Sequence, residues 1–216
     1  LAADLPATAL PALELGAGAG FMAEIIPNLI TSDVFQVDGV DRVLDACAPW
    51  PFATAGLRGV VMTNVFHHLP DIPAFLAEAA RCVAPGGVIS MIEPWITPWS
   101  RVVYTRLHHE PLDVTVTAWR APAGGPLSGA NGALPWIVVA RDRQRLEQEF
   151  PAWHIARVQP LMPCAYLLSG GVSLRALAPG WLYGPVRAVE WLLSPLNRLL
   201  AMFAHITLVR RAEAKP

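Results

Sequence analysis

Three glycines, a pair of histidines and a few carboxylates carry the chemistry that can be read from this chain. Gly16, Gly18 and Gly20 alternate directly after an apolar run (Ala9, Leu10, Ala12, Leu13, Leu15) and just before Phe21-Met22-Ala23-Glu24-Ile25-Ile26. Glycines at a strand-to-helix junction let the backbone bend sharply and come close to a ligand. Glu14 stands at the end of the apolar run, where a buried carboxylate needs a partner. His67 and His68 follow a second apolar run, and either could act as general base toward a hydroxyl. Shaping the wall and satisfying backbone groups is the plainer role for both. Glu93 suits acid–base or structural work equally. His108-His109-Glu110 has metal-ligating side chains, but adjacent residues rarely ligate together from one helix. No third ligand is spaced to match, so no metal is expected.

The glycines leave the ligand open. Gly16, Gly18 and Gly20 form G-x-G-x-G, whereas Gly18, Gly20 and Ala23 satisfy the dinucleotide pattern G-x-G-x-x-A. A nicotinamide-dependent oxidoreductase would further need an acid about twenty residues on, which only Asp38 or Asp41 could supply. A turn that binds nothing is the third reading.

The elements that must position these residues alternate. Apolar runs at 9–15, 29–34, 42–46, 59–65 and 88–92 read as strands, the fourth apolar enough to be covered on both faces. A short helix over 21–26 is stopped by Pro27. Asp71 is placed to cap a helix with Pro73 in its first turn, and Phe75, Leu76, Ala79 and Val83 form its apolar stripe. Pro85-Gly86-Gly87 is expected to end it. This alternation is the pattern of an α/β fold with a parallel sheet and right-handed crossovers, placing His67 and His68 at its carboxyl edge. Later, residues 153–158 and 203–209 read as strands. Asp142 could cap a helix carrying Leu146 and Phe150, and a further helix is expected over 186–193. Two stretches, 94–140 and 161–200, interrupt the pattern. They hold Trp95, Trp99, Trp119, Trp136, Trp181 and Trp191, and insertions at a carboxyl edge are natural substrate caps.

Composition narrows the field. The 216 residues are 54% hydrophobic and 15% charged, enough for one domain over residues 1–216 with a full core. A net charge of −1 argues against a nucleic-acid partner. The cluster Arg141, Arg143, Arg145 reads as the solvated face of a helix. Lys215 is the only lysine, and with abundant Ala and Pro this points to a GC-rich bacterial coding sequence. Cys47, Cys82 and Cys164 show no C-x-x-C spacing, so a reducing cytoplasm is expected. No secretory signal is visible. No transmembrane segment is expected, because the apolar stretch 181–209 is broken by Arg187, Glu190, Pro195, Arg198 and His205. Peripheral membrane contact through 181–200 stays open.

Over roughly residues 10–94 the chain resembles class I S-adenosylmethionine (SAM) dependent methyltransferases, particularly the type 11 group. Four matches in order carry the resemblance: Glu14-Leu15-Gly16-Ala17-Gly18-Ala19-Gly20; Asp33 after the second strand; Asp45-Ala46 with Pro51-Phe52 downstream; and Asn64-Val65-Phe66-His67-His68-Leu69-Pro70-Asp71. Pro85-Gly86-Gly87 completes them. The resemblance implies a three-layer αβα sandwich around a mostly parallel, about seven-stranded Rossmann-like sheet. It implies SAM as cofactor, with Leu15, Gly16, Ala17 and Gly18 lining its methionine and ribose and Glu14 bracing the loop or the amino end of the ligand. Asp33 would accept the ribose hydroxyls, and Asp45 with the Ala46 N–H would meet the adenine. Asn64, Val65 and Phe66 would run past the sulfonium, leading to His67 and His68. Methyl transfer to a small, apolar or ring-bearing acceptor is the expected reaction. Two features depart from the family pattern. Eleven residues separate Asp33 from Asp45, too few for the usual helix, and almost nothing precedes the first strand. They favour, as alternative, a catalytically degenerate SAM-fold binding or partner protein.

Overall fold

The structure is a computed structural model that describes residues 1–18, 20–107, 111–121, 130–162, 164–169 and 179–212. Its strands are β1 (Ala12–Leu15), β2 (Leu29–Asp33), β3 (Arg42–Val43), β4 (Leu57–Thr63), β5 (Val83–Pro94), β6 (Trp153–Leu161) and β7 (Phe203–Arg210). They form one sheet in the order β3-β2-β1-β4-β5-β7-β6. β1 to β5 run parallel, and β7 is antiparallel to both of its neighbours. The helices are α1 (Ile72–Cys82), α2 (Pro98–Leu107), α3 (Leu134–Trp136), α4 (Arg143–Glu149), α5 (Ala165–Ser169), α6 (Tyr183–Leu192) and α7 (Asn197–Leu200). A π-helical turn, Ile137–Arg141, joins α3 to α4.

Side-chain alternation sorts the sheet's two faces. Leu13, Leu15, Val60, Met62, Ile89 and Met91 share one core with Phe75, Leu76 and Ala79 of α1 and with Ile137, Val138 and Leu146. The spacing of those α1 residues is what turns them to a single stripe, and each large side chain so buried contributes about 1.5–3 kcal/mol. The opposite face, with Ala12, Val61 and Val88, packs on Leu5 and Ile26. It is covered there by short 3₁₀ turns, Ala2–Asp4 and Phe21–Glu24.

Asp4 pins the first of these turns to the sheet. Its Oδ2 accepts from Ser90 Oγ at 2.6 Å and Thr207 Oγ1 at 3.1 Å and lies 2.6 Å from His205 Nε2, while Arg157 donates to Oδ1. Burial alone would raise the Asp4 pKa. The hydrogen bonds and the facing imidazole outweigh it and hold the carboxyl below its ordinary value.

Several elements differ from the sequence reading. Asp71 caps α1 as expected, accepting from Ala74 N at 3.0 Å. Pro85-Gly86-Gly87 does not end that helix, which stops at Cys82. These residues form an irregularity inside β5, where Leu57 pairs with Val83 and Gly59 next pairs with Val88. A Cβ on Gly87 would lie 2.7 Å from the Arg58 carbonyl oxygen, which is why glycine stands there. β1 begins at Ala12, and β3 has only two residues, so Leu44-Asp45-Ala46 is loop. Asp142 precedes α4 without capping it, because its carboxylate takes the Trp119 indole N–H and the Arg141 guanidinium instead. Arg143 and Arg145 pair with Glu147 and Glu149 one turn on, a solvated face as read. Arg141, however, donates to the Val114 and Val116 carbonyls and so fastens the 111–121 segment.

Candidate cofactor site at the carboxyl edge

β1, β2, β3 and β4 deliver their carboxyl ends to one cavity of about 410 Å³. That volume suits a cofactor-sized ligand. Leu15 and Gly16 line it from β1, Asp33 from β2, and Asp45 and Ala46 from the loop after β3. Asn64, Val65 and His68 line it from the segment after β4. Glu14, Ala17, Gly18, Phe66 and His67 stand next to these residues in the chain but are not among the lining residues. Ala19 lies outside the described residues, as do His108, His109 and Glu110.

The glycine loop is held by Asp33. Its Oδ2 accepts from Gly18 N at 3.2 Å and its Oδ1 from Phe35 N at 3.1 Å. Asp45 closes its own turn through Oδ1 onto Cys47 N at 2.8 Å. Asp41 faces away from this role: its carboxylate accepts from both N and Oγ1 of Thr31. Gly16 adopts φ +66°, and a Cβ there would come within 2.4 Å of Val65 Cγ2. The loop and the β4 segment therefore touch across a position only glycine fits.

Among the described residues, two buried polar atoms at these strand ends have no partner, Glu14 Oε2 and Asn64 Oδ1. Burial pushes the Glu14 pKa up to about 7. Asn64 itself sits at φ +56°, a strained conformation for a side-chain-bearing residue and one that recurs at functional turns.

The folded pattern has known counterparts. Residues 13–91 match the family model described as a methyltransferase domain. A SAM-dependent methyltransferase from Mesorhizobium loti is 15% identical with a TM-score of 0.55, covering 96% of this chain and 94% of that one. The chain has the fold of the class I SAM-dependent methyltransferases. A geranyl diphosphate C-methyltransferase from Streptomyces coelicolor A3(2), in complex with Mg2+, geranyl diphosphate and S-adenosyl-L-homocysteine, is 13% identical with a TM-score of 0.53, covering 97% and 76%. A putative methyltransferase in complex with the Haloferax volcanii Trm112 methyltransferase activator is 14% identical with a TM-score of 0.51, covering 99% and 89%. No curated protein sequence matches the chain.

Within this methyltransferase fold the two histidines occupy different environments. His68 reaches the cavity wall. The His67 ring is buried, with Nδ1 2.7 Å from Glu93 Oε2. Glu93 Oε1 also accepts from the backbone N–H groups of Val65 and Phe66, both at 2.8 Å. One carboxylate at the end of β5 thus shapes the loop that follows β4.

Sequence reasoning did not single out Val34, Phe35, Leu44, Thr63, Leu69 or Pro70, all of which line the cavity. Leu69 and Pro70 stand inside a quoted motif, and the other four lie within two residues of Asp33, Asp45 or Asn64, which was the available signal. None of the six insertion tryptophans lines it. Trp95 and Trp119 are buried in the core, whereas Trp99, Trp181 and Trp191 are exposed.

Proposed function

We propose that the protein transfers a methyl group from S-adenosylmethionine to a small, apolar or ring-bearing acceptor. The observation that carries the proposal is the convergence of Gly16, Asp33, Asp45 and Asn64 on one cavity at the strand ends. The residues fit this cofactor. Two separate carboxylates can accept from hydroxyl and amino groups, and the partnerless oxygens of Glu14 and Asn64 can accept from an ammonium or hydroxyl. Gly16 lines the cavity, and its missing Cβ lets Val65 close against the loop.

SAM, when bound, supplies a methyl group already activated on positively charged sulfur. The chain's own residues then need to bind, align and exclude water. Asp33 and Asp45 would fix the two ends of the nucleoside, and Val65, Leu69 and Phe35 would wall the cavity with apolar surface. His68 stands in that wall and would accept the proton of a hydroxyl acceptor. His67, paired with Glu93, would hold the wall in place.

The acceptor class rests on the two insertions. Pro94 pairs with Phe203, and Phe203 with Leu161, so residues 94–140 and 161–200 both leave the sheet at the edge that bears the cavity. Their side chains are rich in tryptophan and leucine, which suits an apolar or cyclic acceptor.

Isothermal titration with SAM and S-adenosylhomocysteine tests the cofactor, and methyl-tritiated SAM with cell extract tests transfer. Absence of binding to either ligand would overturn the proposal. The two-residue β3 and the 3₁₀ turn after the glycine loop favour a second reading, a SAM-fold partner protein without turnover. Binding without label transfer to any extract component would select it.

A further inference from the structure

We propose that α2, α6 and α7 form a docking face for an anionic lipid surface. The face is conspicuously apolar for one open to water. Trp181 is 75% exposed, Trp191 78% and Leu192 71%, and Tyr183, Leu196 and Leu199 are exposed beside them in the chain. Trp99, Val102 and Leu107 are exposed on α2, which packs against α7. Aromatic side chains span about 150–250 Å² each, so at these exposures Trp181, Tyr183 and Trp191 alone present roughly 330–550 Å², in the range of the largest apolar patches of monomeric proteins, which are often functional.

Charge selects the occupant. The exposed charged residues of these three helices are Arg101, Arg106, Arg187 and Arg198, all cationic. Glu190, their one carboxylate, is buried, where it accepts from the backbone N–H groups of Cys164 and Ala165 and from Arg187. Glu190 takes up the charge of Arg187, which leaves Arg101, Arg106 and Arg198 as the net positive charge of these helices. Tryptophan, tyrosine and leucine beside arginine is the composition of a helix lying in a membrane interface, with rings at headgroup level and guanidinium groups on lipid phosphates. None of the described helices is long and apolar enough to cross a membrane, so these helices would lie on it. A second copy fits less well, because a two-fold contact through this face would set arginines against arginines. α2 follows the carboxyl end of β5 and α7 leads into β7 opposite it, so docking would turn the cavity-bearing edge toward the bilayer.

Sedimentation with phosphatidylcholine vesicles, with and without added phosphatidylglycerol, tests the proposal. The full chain should bind the anionic vesicles at least tenfold more tightly than the neutral ones, and added salt should weaken that binding. The double variants Trp181→Ser/Trp191→Ser and Arg101→Gln/Arg198→Gln should each lose at least tenfold, with unchanged melting temperature and unchanged SAM affinity. No vesicle binding, equal binding to both vesicle types, or unaltered binding by both variants would overturn it. So would a stable dimer by light scattering that the tryptophan variant converts to monomer. Vesicle binding needs neither SAM nor turnover, so failure of the methyltransferase proposal leaves this test standing.

Discussion

Replacing Glu14 with glutamine should change how stability depends on pH, in a direction the structure fixes. The side chain is 3% exposed, and one of its oxygens has no hydrogen-bond partner. Burial raises its pKa from 4.5 to about 7. Below pH 4.5 folded and unfolded chains both hold the proton, and above pH 7 neither does. Between these values the folded chain binds more protons, so the contribution of Glu14 to stability falls as pH rises. At about 1.4 kcal/mol per pKa unit, the loss across the window is about 3 kcal/mol. Glu14→Gln removes the titration and keeps the shape. Urea unfolding of both proteins from pH 5 to pH 8 is the assay, read as the difference between them. That difference isolates Glu14, because Asp4 and His205 titrate in both chains. The variant should gain about 3 kcal/mol relative to the parent across the window. Parallel profiles would refute the reasoning. SAM binding gives a second readout. On the proposed function, Glu14 would ionise beside the amino end of SAM, so titrations near pH 6.5 in buffers of different ionisation enthalpy should show proton release.

Gly16→Ala should cost about 1–3 kcal/mol of stability, because the new methyl overlaps Val65, and should cut SAM affinity at least tenfold. Gly18→Ala meets no atom within 4 Å and carries only the strain of φ +52°, about 1–2 kcal/mol; denaturant melts and calorimetry on the pair compare them. His68→Gln should lower kcat by about 100-fold or more on a hydroxyl acceptor while SAM affinity holds, and an unchanged kcat would remove the histidine from proton transfer. Asp4→Ala leaves the buried Ser90 hydroxyl and the half-buried His205 imidazole without their shared acceptor. It should destabilise by about 1–3 kcal/mol at pH 7. The deficit should shrink as the pH falls below 3.8, because the parent's Asp4, whose folded pKa is depressed, then loses its own contribution.

What the sequence revealed depended on how local the cause was. Asp71 was legible as the cap of α1 because capping joins residues three apart, and β4 because its whole run is buried. Gly16, Asp33, Asp45 and Asn64 were legible because each ends or follows a strand of a parallel sheet, and such ends share an edge. Pro85-Gly86-Gly87 misled because a proline–glycine stop also suits a strand irregularity, and the deciding atom is the Arg58 carbonyl, far off in the chain. His67 and His68 could not be told apart. Their rings lie side by side, 4.1 Å apart, and what separates their roles is the partner that fixes His67, Glu93, 26 residues on. Asp142 resembled a cap because its alternative partner, the Trp119 indole, is equally remote.

Glu93 stands one residue before the end of β5, where the first insertion leaves the sheet, and it grips Val65, Phe66 and His67. At the far end of that insertion, Asn131 N donates to the His67 carbonyl at 3.0 Å. Between them, Trp119 and Ala121 are tied by backbone hydrogen bonds to Ile72 and Pro70. Glu93, Trp119, Ala121 and Asn131 therefore fasten the described parts of that insertion to residues 65–72. Load placed on it by an acceptor would pass straight into the cofactor wall. On the proposed function, filling one half of such a site would stiffen the other, and the two ligands should be felt by the protein as a single occupancy.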